Sequence, residues 1–168
     1  MVLCIGPEGS GKTLLLRKVQ NSDYVDKNTT AVPTVGVDIF NLIIENKLYT
    51  IREIGGAVAP IWSKYFANVG KVIYVVDTSN LCQISAAGVL LFTVLVHPLL
   101  QKAKVLTMDQ FLLVLTKMDV SYRQMRNEAL LMLQMKRLQN EIHQKITVVE
   151  ASAITGQGRN EIIKWIME

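Results

Sequence analysis

Charged residues and cysteines are both scarce in this chain of 168 residues. Only 19% of the residues are charged while 50% are hydrophobic, a composition that excludes a disordered chain. The two cysteines, Cys4 and Cys82, give no sign of a disulfide framework or a zinc site, which favours a reducing compartment, the cytoplasm. The length suits one domain with a complete core, so we expect a single domain, 1–168, and a monomer.

The chain also lacks a long uninterrupted hydrophobic run and a dense cluster of basic residues. Its longest apolar stretch, 84–100, is short for a membrane span and contains Gly88, His97 and Pro98. We favour a buried helix there, with a transmembrane segment as the alternative. The net charge of +4 is mild and no basic cluster stands out, so nucleic acid is not an expected partner.

Short apolar runs alternate with longer amphipathic segments, and no internal repeat or linker interrupts them. The predicted strands are 2–5, 37–45, 48–54, 71–77, 111–116 and 146–151. The predicted helices are 11–20, 84–101 with a break near Pro98 left open, 122–144 and 160–167. The second and third strands meet at Asn46, which predicts a hairpin. The pattern predicts an α/β fold of three layers, with a mostly parallel six-stranded sheet and helices on both faces.

The first predicted strand runs directly into a complete phosphate-loop motif. Its letters are Gly6-Pro7-Glu8-Gly9-Ser10-Gly11-Lys12-Thr13, which fit G-x-x-x-x-G-K-[ST] between a strand and a helix. The glycines allow successive amide groups to surround phosphate oxygens, Lys12 would contact the β- and γ-phosphates, and Thr13 would bind Mg²⁺. Glu8 either points to solvent or pairs with a lysine, which we favour, or takes part directly in catalysis.

A second pair of polar residues follows the predicted strand 111–116. Asp119 can accept hydrogen bonds from N1–H and the exocyclic amino group of guanine, whereas adenine offers neither donor on that edge. The aliphatic part of Lys117 can lie along the face of the base. Because ligands of open α/β sheets bind at the carboxyl ends of the strands, this position predicts a guanine site.

Two further segments are candidates for sensing a γ-phosphate. Thr34 could give its hydroxyl to Mg²⁺ and its amide to the phosphate. Glu53 could hold Mg²⁺ through a water molecule, and Gly56 could point its amide at the phosphate. Loss of that phosphate would release both segments, which predicts a switch between ordered and disordered states.

Taken together, these strings resemble the Arf and Arf-like GTPases of the Ras superfamily. The resemblance covers nearly the whole chain and rests on Thr34-Val35-Gly36, the doubled glycine at 55–56, the run from Pro60 to Phe66, and Val75-Val76-Asp77. It implies a P-loop NTPase fold, GTP and GDP with Mg²⁺ as cofactors, and effectors that read the GTP form. An exchange factor and an activating protein are also implied, as is a role in membrane or ciliary traffic. Trp62 either packs in the core or contacts effectors.

The chain departs from that family at four positions. Glu53 stands where Arf proteins have Asp, and Ala57 stands where they have the Gln that orients the attacking water, so no catalytic residue is certain. Thr116 replaces the Asn of N-K-x-D, which leaves only part of the amide's bridging. Ser152, Ala153 and Ile154 are similar to the S-A-K loop that meets guanine O6, with Ile for Lys.

These features leave three functions open. The first is a molecular switch with slow intrinsic GTP hydrolysis. The second is a nucleotide-binding scaffold with little hydrolysis or switching, which the replacements at Glu53, Ala57 and Thr116 favour. The third is a P-loop kinase for a small metabolite, and it is the weakest because no Arg-rich lid is visible and Asp119 fits guanine.

Overall fold

Six strands form one sheet in the structure, a computed structural model that describes residues 1–21, 23, 25–102, 109–142 and 145–168. The strands are β1 Val2–Ile5, β2 Val37–Ile44, β3 Lys47–Ile54, β4 Lys71–Asp77, β5 Phe111–Thr116 and β6 Ile146–Glu150. Their spatial order is β2-β3-β1-β4-β5-β6, and only the pairing of β2 with β3 is antiparallel. The predicted fold class is confirmed.

Helices cover both faces of this sheet. They are α1 Lys12–Gln20, α2 Leu81–Leu95, α3 Pro98–Lys102, α4 Arg123–Met132, α5 Met135–Glu141 and α6 Arg159–Met167, with a kinked 3-10 segment at Gly56–Tyr65. Neighbouring residues of β1 point to opposite faces. Leu3 joins the core cluster that contains residues of α2, α4, α5 and the 3-10 segment, while Cys4 joins the cluster that contains residues of α1 and α6.

The predicted hairpin is present, and its turn has a simple physical cause. Glu45 and Asn46 both have positive φ, at 49° and 61°, which is the conformation that a two-residue hairpin turn requires. The turn pairs Ile44 with Lys47 and sends Phe40 and Leu42 inward, where both side chains are buried. β2 therefore forms one edge of the sheet.

The long helix predicted for 122–144 is wrong as a single element. α4 and α5 are separated at Gln134, whose φ of 54° is left-handed. The flanking residues Leu133 and Met135 are both buried, at 2% and 5% exposure. A straight helix would turn side chains two positions apart to different faces, so the break lets both reach the core. His143 and Gln144, at the end of the predicted helix, lie outside the described residues.

The apolar stretch at 84–100 forms a helix, as the sequence favoured, but with earlier bounds, a break, and only one buried face, since Val89 and Phe92 are exposed. α2 begins at Leu81, three residues before the prediction, and ends at Leu95; α3 begins at Pro98. Proline lacks the amide hydrogen that would continue the helix, so it starts a new one. Within the described part of the chain, no helix has the length and apolar character needed to cross a membrane.

Candidate functional site

The phosphate-loop motif follows β1 as a curled segment with Gly9 exposed and Ser10 buried. Gly6 approaches β4 so closely that a Cβ there would lie 2.2 Å from the carbonyl oxygen of Val75. Gly11, just before α1, has a φ of 88°, a left-handed value that residues with side chains rarely adopt. The amino end of α1 thus opens toward the curled segment, where its unpaired amides favour an anion.

The Lys12 side chain turns back over this segment and is buried. Its Nζ donates hydrogen bonds to the carbonyl oxygens of Gly6 and Pro7, both at 2.9 Å. Burial lowers the pKa of Lys12, while the charges of Glu53 and Glu8 act in the opposite direction. The Glu8 residue is exposed. Anionic oxygens would be stronger partners for this ammonium group than the two neutral carbonyls that it now contacts.

Three predicted Mg²⁺ residues come together from three different segments. The Thr13 hydroxyl, on α1, donates to Glu53 Oε1 at 2.7 Å and lies 3.1 Å from the Thr34 hydroxyl. Thr34 Oγ1 lies 3.4 Å from the same carboxylate oxygen.

The second oxygen of this carboxylate is also shielded from solvent, since Glu53 is fully buried. Among the described residues, Glu53 Oε2 has no hydrogen-bond partner. Burial is the main reason that the pKa of Glu53 is raised. A buried, unpartnered carboxylate oxygen beside two hydroxyls is a donor set that suits a hard cation such as Mg²⁺, so these residues fit the ion.

The segments around Thr34 and Gly56 contact each other and the phosphate loop through main-chain atoms. The Gly55 amide donates to the Gly36 carbonyl at 2.9 Å. A Cβ on Gly55 would lie 2.1 Å from the Thr34 carbonyl oxygen, and one on Gly56 would lie 2.1 Å from the Glu8 amide nitrogen. Both positions therefore require glycine for steric reasons. The segment 53–57 thus packs against both the Thr34 segment and the phosphate loop.

The 3-10 segment also contacts Gly55, through Trp62. Trp62 is buried, its Nε1 donates to the Gly55 carbonyl at 3.1 Å, and its ring meets Tyr74 edge-on with centroids 6.3 Å apart. Of the two interpretations of Trp62, the structure shows the packed one. Ala57, by contrast, is exposed and carries no group that could hydrogen-bond a water molecule.

A cavity of about 360 Å³ lies among these segments. Its walls include Glu8, Gly9, Gly11, Lys12, Thr13, Thr34, Glu53, Gly55, Gly56 and Lys117, together with residues 29–33. The structure thus brings the predicted phosphate, Mg²⁺ and switch residues to one cavity except for Ser10, which is buried behind it, and Lys117 of the predicted base site lies in the same wall.

The predicted base residues follow β5 and β6 at the same edge of the sheet. The buried Thr116 hydroxyl donates to the Ser10 carbonyl at 2.6 Å and so joins this segment to the phosphate loop. Asp119 is exposed, and its Oδ1 accepts a hydrogen bond of 2.6 Å from the Ser152 hydroxyl. The Met118 amide donates to the Ala151 carbonyl at 3.2 Å, which ties the two segments together through the main chain.

Ala153 and Ile154 continue the segment after β6. Both are partly buried, and the turn that contains them is closed by a bond of 2.9 Å from the Gly156 amide to the Ser152 carbonyl. The Thr155 amide also donates to the Ser152 hydroxyl at 3.2 Å. The residues predicted for the base site therefore lie at the end of β5 and in the two neighbouring segments that follow β5 and β6.

The comparisons with known proteins agree with this geometry. The model of the ADP-ribosylation factor family matches residues 1–168. The chain belongs to the ADP-ribosylation factor family. This Arf-family chain is 31% identical over 172 residues to ADP-ribosylation factor-like protein 16 of Homo sapiens, an alignment that covers 99% of the chain and 84% of the relative. It is 26% identical over 167 residues to ADP-ribosylation factor-like protein 1 of Caenorhabditis elegans, covering 98% and 86%.

Solved structures show the same fold as this Arf-family chain. The small GTPase Arl6 (BBS3) of Trypanosoma brucei, with the bound nucleotide analogue GppNp, matches it with a TM-score of 0.78 at 20% identity, covering 99% of the chain and 94% of the neighbour. The mammalian SRP receptor matches with a TM-score of 0.73 at 17% identity, covering 98% and 97%. The family resemblance inferred from the sequence is confirmed, and with it the expectation of a small GTPase.

Asp77 is a residue of the site to which the sequence analysis of this Arf-family chain assigned no role. Asp77 ends β4, and its Oδ2 lies 2.6 Å from the Lys117 Nζ in an ion pair. The signal that could have revealed it is positional, because the carboxyl ends of parallel strands meet at one edge. Because β4 lies between β1 and β5, the residue at its carboxyl end, Asp77, lies between the phosphate loop and the segment after Thr116.

Proposed function

We propose that residues 1–168 form one GTPase domain that binds GTP or GDP with Mg²⁺, switches between two conformations, and hydrolyses GTP slowly. The observation that carries this proposal is the bond between the Thr116 hydroxyl and the Ser10 carbonyl. It joins a loop suited to phosphates to a turn suited to guanine, so that one nucleotide can reach both.

Each part of the nucleotide has its own set of residues in this proposal. Phosphates are held by Glu8, Gly9, Ser10, Gly11, Lys12 and Thr13, with Thr34 and Gly56 at the γ-phosphate. Thr13 and Thr34 would hold Mg²⁺, with Glu53 holding it through water, and the ion would supply positive charge to offset that of the phosphates. The base is held by Thr116, Lys117, Asp119, Ser152, Ala153 and Ile154.

Switching follows from the main-chain contacts of the two glycines. Gly56 packs on the Glu8 amide and Gly55 packs on the Thr34 carbonyl, so a movement of the segment 53–57 would change its contacts with both the phosphate loop and the Thr34 segment. A γ-phosphate that accepts hydrogen bonds from Thr34 and Gly56 stabilises one arrangement, and its loss removes that stabilisation. Effector proteins would read the difference at these segments and at the β2–β3 hairpin, while an exchange factor and an activating protein would control it.

Slow hydrolysis follows from Ala57, because nothing on its side chain can orient the attacking water. GTPases that have a glutamine for this purpose hydrolyse GTP at only about 10⁻⁴–10⁻³ per second unaided. The same residue favours the second candidate function, a nucleotide-binding scaffold that does not turn over.

Two measurements test the proposal. The first identifies the nucleotide that copurifies with the chain and titrates GTP against ATP; GTP or GDP in the protein and a clear preference for GTP are expected. Equal affinities for the two triphosphates would end the base-site assignment.

The second measurement separates the switch from the scaffold. Single-turnover hydrolysis of bound GTP is followed with and without cell extract. Stimulated hydrolysis supports the switch, whereas none under either condition favours the scaffold.

Membership of the Arf family supports a place in the cytoplasm, peripheral to membranes or the cilium, with a role in membrane or ciliary traffic. A tagged chain loaded with GTP or GDP and separated into membrane and supernatant fractions tests this. Enrichment on membranes only in the GTP form is the expected result, and an identical distribution of both forms would contradict it.

A further inference from the structure

Two hydrogen-bonding residues fasten the end of β4 to the segment after β5. The Thr78 hydroxyl, fully buried, donates to the Thr116 carbonyl at 2.8 Å. Next to it, the Asp77 carboxylate meets the Lys117 ammonium group at 2.6 Å. The two contacts are adjacent along both strands, so the backbone of residues 116–117 is fixed by β4 on one side.

The Asp77 carboxylate is held in a single orientation. Its Oδ1 accepts hydrogen bonds from the Ser79 amide at 2.8 Å and the Ser79 hydroxyl at 2.6 Å, which leaves Oδ2 for Lys117. Asp77 is 6% exposed, whereas the Lys117 side chain is 41% exposed. A buried carboxylate fixed by two donors of Ser79 is an anchor, and the more exposed lysine is the part that it restrains.

Lys117 begins the turn that carries Asp119. Its φ of 60° is left-handed, which is uncommon for a residue with a long side chain. Its carbonyl accepts hydrogen bonds from the Val120 and Ser121 amides, both at 3.0 Å. The conformation of Lys117 therefore determines the direction in which Asp119 leaves the turn.

We propose that Asp77 is a positioning residue for base recognition, which restrains Lys117 and thereby the turn that presents Asp119 to guanine. The inference rests on the proposed function, since it concerns how the same site selects its base. The Asp77 carboxylate is engaged by Ser79 and Lys117, so Asp77 acts on the base through Lys117. Its effect therefore falls on the preference for guanine over adenine and leaves phosphate binding intact.

The test compares affinities for GDP and ADP in the full chain. Asp77→Asn removes the charge that holds Lys117, and we expect about tenfold weaker GDP binding. ADP binding should change by less than about twofold, because adenine does not use the carboxylate of Asp119. The ratio of the two Kd values falls accordingly. An unchanged ratio, or equal losses for both nucleotides, would overturn the inference.

Lys117→Met removes the same ion pair at its more exposed partner, so the ratio can be tested even if Asp77→Asn does not fold. Methionine keeps an unbranched apolar stem of nearly the same length and loses the ammonium group. Adding Asp77→Asn to this variant should change the ratio no further, since the interaction is already absent. Additive effects would mean that Asp77 acts by another route.

Asp109→Asn is the matched control. Asp109 forms an ion pair of the same length, 2.6 Å, with Lys145 before β5, at the opposite end of that strand from Lys117. Its removal should leave the ratio unchanged, and Asp77→Glu, which restores the charge, should bring the ratio back to within about twofold of the wild-type value. A wild-type chain that binds neither GDP nor GTP would instead refute the proposed function, whatever the variants do.

Discussion

The phosphate side and the base side of the candidate site differ in how much of their contact is made by main-chain atoms and how much by side chains. On the phosphate side, glycine positions and main-chain atoms make the contacts: Gly6 lies against Val75, and Gly56 lies against Glu8. On the base side, side chains make them, as in the bond from Ser152 to Asp119. A main-chain site depends on spacing and glycine, whereas a side-chain site depends on the identity of every partner. Substitutions on the base side are therefore expected to change base recognition directly.

The largest expected effect is on the phosphate side, at its buried lysine. Lys12→Ala removes the buried ammonium group, which would form charge-assisted hydrogen bonds with phosphate oxygens, and we expect more than about a hundredfold loss of GDP and GTP affinity. Titration with a fluorescent guanine nucleotide measures it.

Lys164→Ala is the control for Lys12→Ala, because Lys164 is 76% exposed on α6 and pairs only loosely with Glu168, at 3.9 Å. Its affinity should equal that of the wild type. If Lys12→Ala also bound normally, the phosphates would have to lie elsewhere.

Asp119→Asn tests the base side through its one charged acceptor. An amide keeps one accepting oxygen and replaces the other by a donor, so guanine keeps a partner for N1–H and loses the partner of its exocyclic amino group, whereas the O2 of xanthine gains a donor. We expect GTP affinity to fall by about 10- to 100-fold and the affinity for xanthosine triphosphate to rise above it. Competition between the two triphosphates measures the reversal. A persistent preference for GTP would show that another residue reads the base.

The sequence predicted the main-chain side well because a spaced glycine motif between a strand and a helix implies its own geometry. It also predicted that Asp119 and Ser152 lie at the same edge, since both follow parallel strands. It did not predict the anchoring of Lys117 by Asp77, because that contact joins residues 40 positions apart through side-chain orientation. The break at Gln134 was missed for a similar reason, since it depends on which side chains the core accepts.

Gly56→Ala sharpens the comparison by placing a side chain where the main-chain contact is tightest. A Cβ there would lie 2.1 Å from the Glu8 amide nitrogen, so the segment 53–57 must move off the phosphate loop. We expect about a tenfold loss of GTP affinity with little change for GDP, because only GTP uses the Gly56 amide in our proposal. The ratio of the two affinities reports the effect.

Gly70→Ala is the control for Gly56→Ala. A Cβ at Gly70 would meet its nearest atom, the Met1 carbonyl oxygen, at an ordinary 3.6 Å. The affinity ratio of this variant should match the wild-type ratio. An unchanged ratio in Gly56→Ala would mean that the segment 53–57 does not sense the γ-phosphate.

The smallest expected effect concerns GTP hydrolysis, for which this chain has Ala57 where a glutamine would orient the attacking water. Ala57 is exposed, so Ala57→Gln can be accommodated, and its amide could orient water for attack. We expect intrinsic hydrolysis to rise by only a few-fold, roughly, because the glutamine alone leaves other GTPases slow. Single-turnover hydrolysis compares it with Ala57→Leu, which adds bulk without hydrogen-bonding capacity. Equal rates in the two variants would show that the missing amide does not limit hydrolysis.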